Sequence, residues 1–289
     1  MSTTRRNFLS AAAAAPFLAA AAGNRLPIKK AVEFNMLRDP AAPGILEKFQ
    51  MAKDAGFEEI ECPTTPDQAR AEEMLAASQK TGLRIHSVMN SEHWNSPLSS
   101  ADRAVVDKSL DGMRTSLRNA KLWGADTVLL VPAVVNPETS YQQAWERSQR
   151  EIRKLIPLAQ ESKVIIGIEE VWNKFLLSPL EFAKYVDEFN SPWIRAYFDV
   201  GNVAIQSYPQ DWIRVLGKRI VKLHIKDFSF RRRQAEFTAL LEGEIDFKAV
   251  HAALAEIGYQ GTATVELGAG NADYLKEVNS RFEKILSAV

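Results

Sequence analysis

Eight short apolar runs, each followed by a longer stretch of helical periodicity, limit what this chain can fold into. The runs are Ile28–Met36, Phe57–Cys62, Leu83–Asn90, Asp126–Pro132, Val164–Glu170, Ile194–Gly201, Ile220–Asp227 and Gly261–Leu267. Alternation of β and α implies a parallel sheet, and eight such units predict closure into a single α/β architecture, a (β/α)8 TIM barrel over residues 26–289. The length of 289 residues agrees, since one such barrel takes about 250. An open doubly wound sheet would carry glycines in its first turn, and Met36-Leu37-Arg38-Asp39 has none.

Two helices can be read in detail. Ser178-Pro179-Leu180-Glu181 has the form of a capping box with proline at the first helical position. Phe182, Tyr185, Val186 and Phe189 then make one apolar stripe. Asp246 opens a second helix with the stripe Phe247, Val250, Leu254 and Ile257, and Gly258 stops it. The longest stretch without a pattern runs from Asp227 to Asp246 and is expected to be a loop over the active face.

Residues 1–22 stand apart from this pattern. Thr4-Arg5-Arg6-Asn7-Phe8-Leu9 precedes an alanine-rich run from Ala11 to Ala22, which reads as an export signal cleaved near Ala22. The arginine pair resembles a twin-arginine signal, which implies the twin-arginine export machinery as a partner and a periplasmic or otherwise exported destination. The run is too short to span a bilayer, which needs roughly 20 apolar residues. Formal charge is zero, and without the signal it is near −2, from 34 basic and 36 acidic side chains. That balance points neither to nucleic acid nor to an anionic membrane surface. Cys62 is the only cysteine, so no disulfide forms within the chain, and it reads as a buried small hydrophobe.

The chemistry is concentrated where the last four runs end. They read Ile165-Ile166-Gly167-Ile168-Glu169, Ala196-Tyr197-Phe198-Asp199, Val221-Lys222-Leu223-His224 and Ala263-Thr264-Val265-Glu266. An ionised carboxylate at a buried strand end costs several kcal/mol unless it is paired or bound to metal. Taken singly, Glu266 could be a rim carboxylate paired with a lysine, His224 a core histidine and Asp199 a turn cap. Together, three carboxylates and an imidazole at the C-terminal face suit one divalent cation, Mn²⁺ first and otherwise Mg²⁺, Co²⁺ or Zn²⁺.

These segments resemble the xylose isomerase-like barrel superfamily, in particular its sugar epimerases and hydroxypyruvate isomerases. The resemblance rests on Ile168-Glu169-Glu170-Val171-Trp172-Asn173-Lys174-Phe175, Tyr197-Phe198-Asp199-Val200-Gly201-Asn202, Leu223-His224-Ile225-Lys226-Asp227 and Glu244-Ile245-Asp246-Phe247. It implies that Glu169, Asp199, His224 and Glu266 ligate the metal, and that Glu169 and Glu266 pass a proton to and from a carbon beside a carbonyl. Side chains alternate across a strand, so only one of Glu169 and Glu170 faces inward in regular geometry. Glu169 is preferred because it follows its isoleucine as the other ligands follow their apolar neighbours. A positioned acid or base contributes about 10²–10⁴-fold, and a metal that stabilises the enediolate adds several kcal/mol.

Two departures from the epimerase pattern bear on substrate. Leu176 and Leu177 follow Phe175 where such enzymes often carry a glutamate, and Asn202 stands where they often carry a histidine. Candidate substrate contacts are therefore His93, Lys174, Asn202, Lys226 and Arg231, each of which could also be a solvated loop side chain. The expected activity is a metal-dependent sugar isomerase or epimerase, with a sugar or glycoside as partner and room for a homo-oligomer. The alternatives are metal-assisted β-elimination on a 3-oxo-glycoside and a non-catalytic periplasmic sugar- or metal-binding protein. A repair endonuclease of the same superfamily resembles a three-zinc, histidine-rich site, whereas this chain has four histidines in all. The exported protein should begin near Gly23 on N-terminal sequencing; exported material that retains Arg5 and Arg6 would contradict the cleavage expectation.

Overall fold

A computed structural model describes residues 25–231 and 234–289, and the side chains of residues 231 and 234 lie outside the description. The signal expected over residues 1–22 also lies outside the described residues. Among those described, no helix is long and apolar enough to cross a membrane.

Eight parallel strands form a closed barrel, as the alternation predicts. They are β1 (Lys29–Glu33), β2 (Glu59–Pro63), β3 (Arg84–Met89), β4 (Thr127–Leu130), β5 (Ile165–Glu169), β6 (Ile194–Asp199), β7 (Ile220–Ile225) and, last in the chain, β10 (Thr262–Val265). Successive strands pair from β1 through β7, and β10 closes the ring between β7 and β1. The outer layer is α1 (Ile45–Asp54), α2 (Gln68–Thr81), α3 (Arg103–Trp123), α4 (Tyr141–Arg153), α5 (Ile156–Ser162), α6 (Pro179–Asp187), α7 (Pro209–Leu216), α8 (Phe247–Glu256) and α9 (Ala272–Leu286).

The helix signals act as the residues suggest. The Ser178 hydroxyl accepts from the Glu181 N–H, and the Glu181 carboxylate reaches back to the Leu177 N–H, one residue earlier than a reciprocal capping box requires. Phe182, Tyr185, Val186 and Phe189 are all buried. The Asp246 carboxylate caps α8 through the Ala249 N–H, and Gly258 takes the left-handed conformation just past its end.

The stretch from Asp227 to Asp246 departs from expectation. Instead of a plain loop it begins with an antiparallel hairpin, β8 (Asp227–Arg231) and β9 (Gln234–Thr238), pairing Phe228 with Phe237 and Phe230 with Ala235. Its period-two alternation of Phe228 and Phe230, then Ala235 and Phe237, is the overlooked signal. The Asp227 carboxylate pins its base by accepting from the Phe228 and Gly243 N–H groups at 2.8 Å.

Inside the barrel the side chains are largely polar. The main apolar core joins strands to helices, and a separate small cluster consists of Leu129, Val131 and Tyr197. Near the N-terminal end of the strands, Arg84 bonds Glu59 at 2.9 Å and Asp126 at 2.7 Å, Lys222 meets Asp126 at 2.9 Å, and the Thr262 hydroxyl bonds Glu59 at 2.6 Å. Burial alone would raise both acids, but Thr262 and Arg84 hold Glu59 below its ordinary 4.5, and Lys222 and Arg84 hold Asp126 below its ordinary 3.8. Depressed folded-state values stabilise the fold above those ordinary values, and the contribution is lost as pH falls through the lower ones. Arg84→Met should therefore cost on the order of 2 kcal/mol in urea unfolding at neutral pH. It should also move the acid-unfolding midpoint upward; an unchanged midpoint would show that the network does not couple protonation to stability.

Candidate metal centre

Strand alternation sends every second residue inward, so a strand that ends on an inward carboxylate delivers it to the C-terminal mouth. Glu169, Asp199, His224 and Glu266, from β5, β6, β7 and the end of β10, each place a ligand-type atom within 4.8 Å of the others. Among the described residues this is the one such group of three or more. His224 Nδ1 lies 2.9 Å from Glu169 Oε1, 2.9 Å from Glu266 Oε2 and 3.7 Å from Asp199 Oδ2. Glu170 turns elsewhere and accepts the Asp199 N–H at 2.9 Å. Burial and the neighbouring Asp199 and Glu169 drive its carboxyl well above the usual range.

Each member of the group is fixed from behind. Asp199 Oδ1 accepts from the Gly201 and Asn202 N–H groups at 2.7 and 2.9 Å, which leaves Oδ2 facing the cluster. Gly201 is required by close approach, because a Cβ there would lie 2.5 Å from the Lys226 Cβ. His224 Nε2 lies 3.1 Å from Glu61 Oε2, which also accepts the Tyr197 hydroxyl. These bonds run from β7 and β6 across the barrel to β2. The pairing of β2 with β3 shifts register between Ile60 and Glu61, and that of β6 with β7 between Ala196 and Tyr197. In each case the skipped residue, His86 or Val221, is on the neighbouring strand, so plain alternation sends Glu61 inward with Glu59 and Tyr197 inward with Asp199.

The donor set fits a divalent cation. Three carboxylates and one imidazole suit a hard or borderline metal. An imidazole whose second nitrogen meets a buried carboxylate has the oriented form that metal-ligating histidines usually take. Burial opposes charge on His224, yet Glu61, Glu266 and Glu169 drive its pKa well above the usual value, so the cluster demands positive charge at this point. Lys226 supplies part of it, with Nζ 2.8 Å from both Asp199 Oδ2 and Glu266 Oε2. Burial pushes Glu169 up to about 7, only partly offset by His224. Burial would also raise Glu266, but His224 and Lys226 outweigh it and hold that carboxyl well below the usual range.

The remaining candidates divide. Lys226 belongs to the cluster. His93 is buried; its Nδ1 accepts the Val131 N–H at 3.2 Å, and Nε2 has no hydrogen-bond partner among the described residues. Burial lowers its pKa to about 3, so it is neutral. The Asn202 side-chain N–H donates to the Glu170 backbone carbonyl at 2.9 Å, its Oδ1 accepts from Lys226 Nζ at 3.5 Å, its backbone carbonyl accepts the Trp172 indole N–H at 2.8 Å, and it lines the same cavity as Lys174. Lys174 is exposed on the rim of a cavity that it shares with Glu170 and Trp172. The Arg231 side chain lies outside the described residues.

Sequence reading missed Glu61, Tyr197 and Glu33. Glu61 lies between Ile60 and Cys62 in an apolar strand, so the rule that singled out the last four strands applied to it as well. Glu33 ends β1, where it bonds the Asn35 backbone and side chain at 2.8 and 2.7 Å, and burial pushes it up to about 8.

The sequence pattern of the xylose isomerase-like TIM barrel family matches residues 49–284. L-ribulose-5-phosphate 3-epimerase UlaE of Salmonella paratyphi C is 27% identical over 249 residues, covering 81% of this chain and 86% of that protein. A solved L-ribulose 3-epimerase superposes with a TM-score of 0.75 at 19% identity, covering 90% of this chain and 95% of that one. The 3-keto-D-glucoside 4-epimerase YcjR from E. coli does so with 0.75 at 17% identity, covering 88% and 98%. The strand order, the closed ring and the matched span agree, and the chain belongs to the xylose isomerase-like TIM barrel family.

Proposed function

We propose that this protein is a divalent-metal-dependent sugar isomerase or epimerase that moves a proton on a carbon next to a carbonyl. The observation that carries the reading is the convergence of Glu169, Asp199 and Glu266 on His224 Nδ1, with Glu61 behind the ring. Named sugar epimerases among the similar proteins support it.

Glu169, Asp199, His224 and Glu266 would hold the cation. When bound it supplies Lewis-acid stabilisation of the negative charge that develops on the substrate oxygen, worth several kcal/mol. The two glutamates supply the proton transfer. Both stand 2.9 Å from His224 Nδ1; His224 and Lys226 outweigh burial and favour the ionised form of Glu266, which suits it as the base, and burial favours the protonated form of Glu169, which suits it as the acid. Glu266 takes the proton from the substrate carbon and Glu169 returns one, which inverts the centre or moves the carbonyl. Lys226 stays protonated, because Asp199 and Glu266 overcome its desolvation, and it keeps positive charge beside the reacting oxygens. Arg5-Arg6 and the alanine run support action after export, in the periplasm.

A second reading, β-elimination from a 3-oxo-glycoside, is favoured by the cavity of about 380 Å³ that opens beside Glu266 and carries Phe237, Leu267 and Tyr274 on its lining. The same base would remove the proton at C2, the C1–O bond would break, and the aglycone would leave with a proton as an alcohol. Release of free aglycone separates the two reactions.

Glu266→Gln should abolish solvent-deuterium exchange into keto sugars, by about 10²-fold or more, while leaving the melting temperature within a few degrees. Undiminished exchange in that variant contradicts the acid–base assignment. Glu61→Gln, which removes the brace and leaves all four ligands, should weaken metal binding by about 10–100-fold in calorimetry. Unaltered affinity would mean that the Glu61 carboxylate does not tune the imidazole.

A further inference from the structure

We propose that the cavity between the β8–β9 hairpin and the loop after β10 is a subsite for an aromatic aglycone joined to the reacting sugar. It deepens the proposed sugar chemistry and rests on that reading. The cavity has a volume of about 380 Å³, and its lining includes Lys226, Phe237, Glu266, Leu267, Gly268 and Tyr274. One wall thus carries the proposed base, and the wall next to it carries exposed aromatic surface.

The Phe237 ring is built as a platform. It stacks on Trp172 at 4.8 Å and 22°, and Trp172 is in turn met edge-on by the buried Phe228 at 6.1 Å. Phe237 remains 43% exposed and lines this cavity, whereas Trp172 lines a separate one with Glu170 and Lys174. The Lys226 ammonium lies 5.0 Å from the Phe237 ring centroid and 2.8 Å from Glu266, which ties the aromatic wall to the reacting end. An aryl group packed against the exposed part of Phe237 would share the cavity with Glu266.

The lining also selects among ring types. A second sugar would need several polar groups to meet its hydroxyls. Beyond Lys226 and Glu266 the side chains available are the hydroxyls of Thr238 and Tyr274, and the Thr238 hydroxyl already donates to the Ala239 carbonyl at 3.4 Å. Apolar surface from Phe237, Leu267 and the Tyr274 ring suits an aryl group. Gly268 keeps the floor open, with no heavy atom within 4 Å of where a Cβ would stand, and its φ lies outside the left-handed region.

The test uses ligands that lack the oxidised carbon and cannot react. Methyl β-D-glucoside, phenyl β-D-glucoside and cellobiose are titrated by calorimetry into the metal-loaded protein. The phenyl glycoside should bind about tenfold more tightly than the other two. Phe237→Ala removes the platform and Gly268→Leu fills the cavity; each should reduce that preference to about threefold or less without lowering the melting temperature. Equal affinities for the methyl and phenyl compounds, cellobiose binding as tightly as phenyl glucoside, no phenyl binding at millimolar concentration, or a preference that survives both substitutions would overturn the subsite. Loss of the deuterium-exchange activity would instead remove the proposed reaction while leaving the aryl preference intact, so the two failures are distinguishable.

Discussion

The contact between Glu61 and His224 Nε2 governs the whole site. It turns the imidazole so that Nδ1 faces three carboxylates, an arrangement that is unstable unless positive charge sits among them. Glu61 itself is held by the Tyr197 hydroxyl from the opposite wall. The interior therefore works as a connected layer rather than as four separate ligands. Strand alternation points both bracing side chains inward, Glu61 in phase with Glu59 and Tyr197 in phase with Asp199.

That layer depends on a scaffold with its own electrostatic solution at the other end. Glu59, Arg84, Asp126, Lys222 and Thr262 neutralise one another near the strand starts, so the polar interior is satisfied below the site as well as within it. Thr262 and Glu266 lie on one face of the same chain segment, as do Glu59 and Glu61, and Lys222 and His224. A strand with polar residues at every second position thus serves both the floor network and the catalytic mouth. Helices α1 to α9 cover the opposite, apolar face of each strand.

This alternation explains how much could be read in advance. The eight strands were legible because their outward residues, such as Ile166 and Ile168 or Phe198 and Leu223, are large and apolar. The four-residue cluster was legible because each strand end breaks that pattern with a carboxylate or an imidazole. Alternation also favoured Glu169 over Glu170, and the structure turns Glu170 toward the Asp199 backbone. Glu61 and Tyr197 were legible by the same alternation, in phase with Glu59 and Asp199, but they sit inside their runs rather than at the ends where the chemistry was sought. The hairpin was missed because short Phe-Ser-Phe and Ala-Glu-Phe alternations beside an arginine run look like an irregular loop. The hydrogen bonds of Asn202 to Glu170 and Trp172 depend on how two loops meet, which no run of residues records.

The proposed chemistry requires Glu169, Asp199, His224 and Glu266 to hold one divalent cation. The most direct measurement is elemental metal analysis of the purified protein and of its His224→Ala and Glu170→Gln variants after exhaustive desalting. One equivalent of a divalent metal per chain is expected in the parent protein and in Glu170→Gln, and its loss in His224→Ala. A parent protein without stoichiometric metal after incubation with manganese, or an unchanged content in His224→Ala, would contradict that requirement.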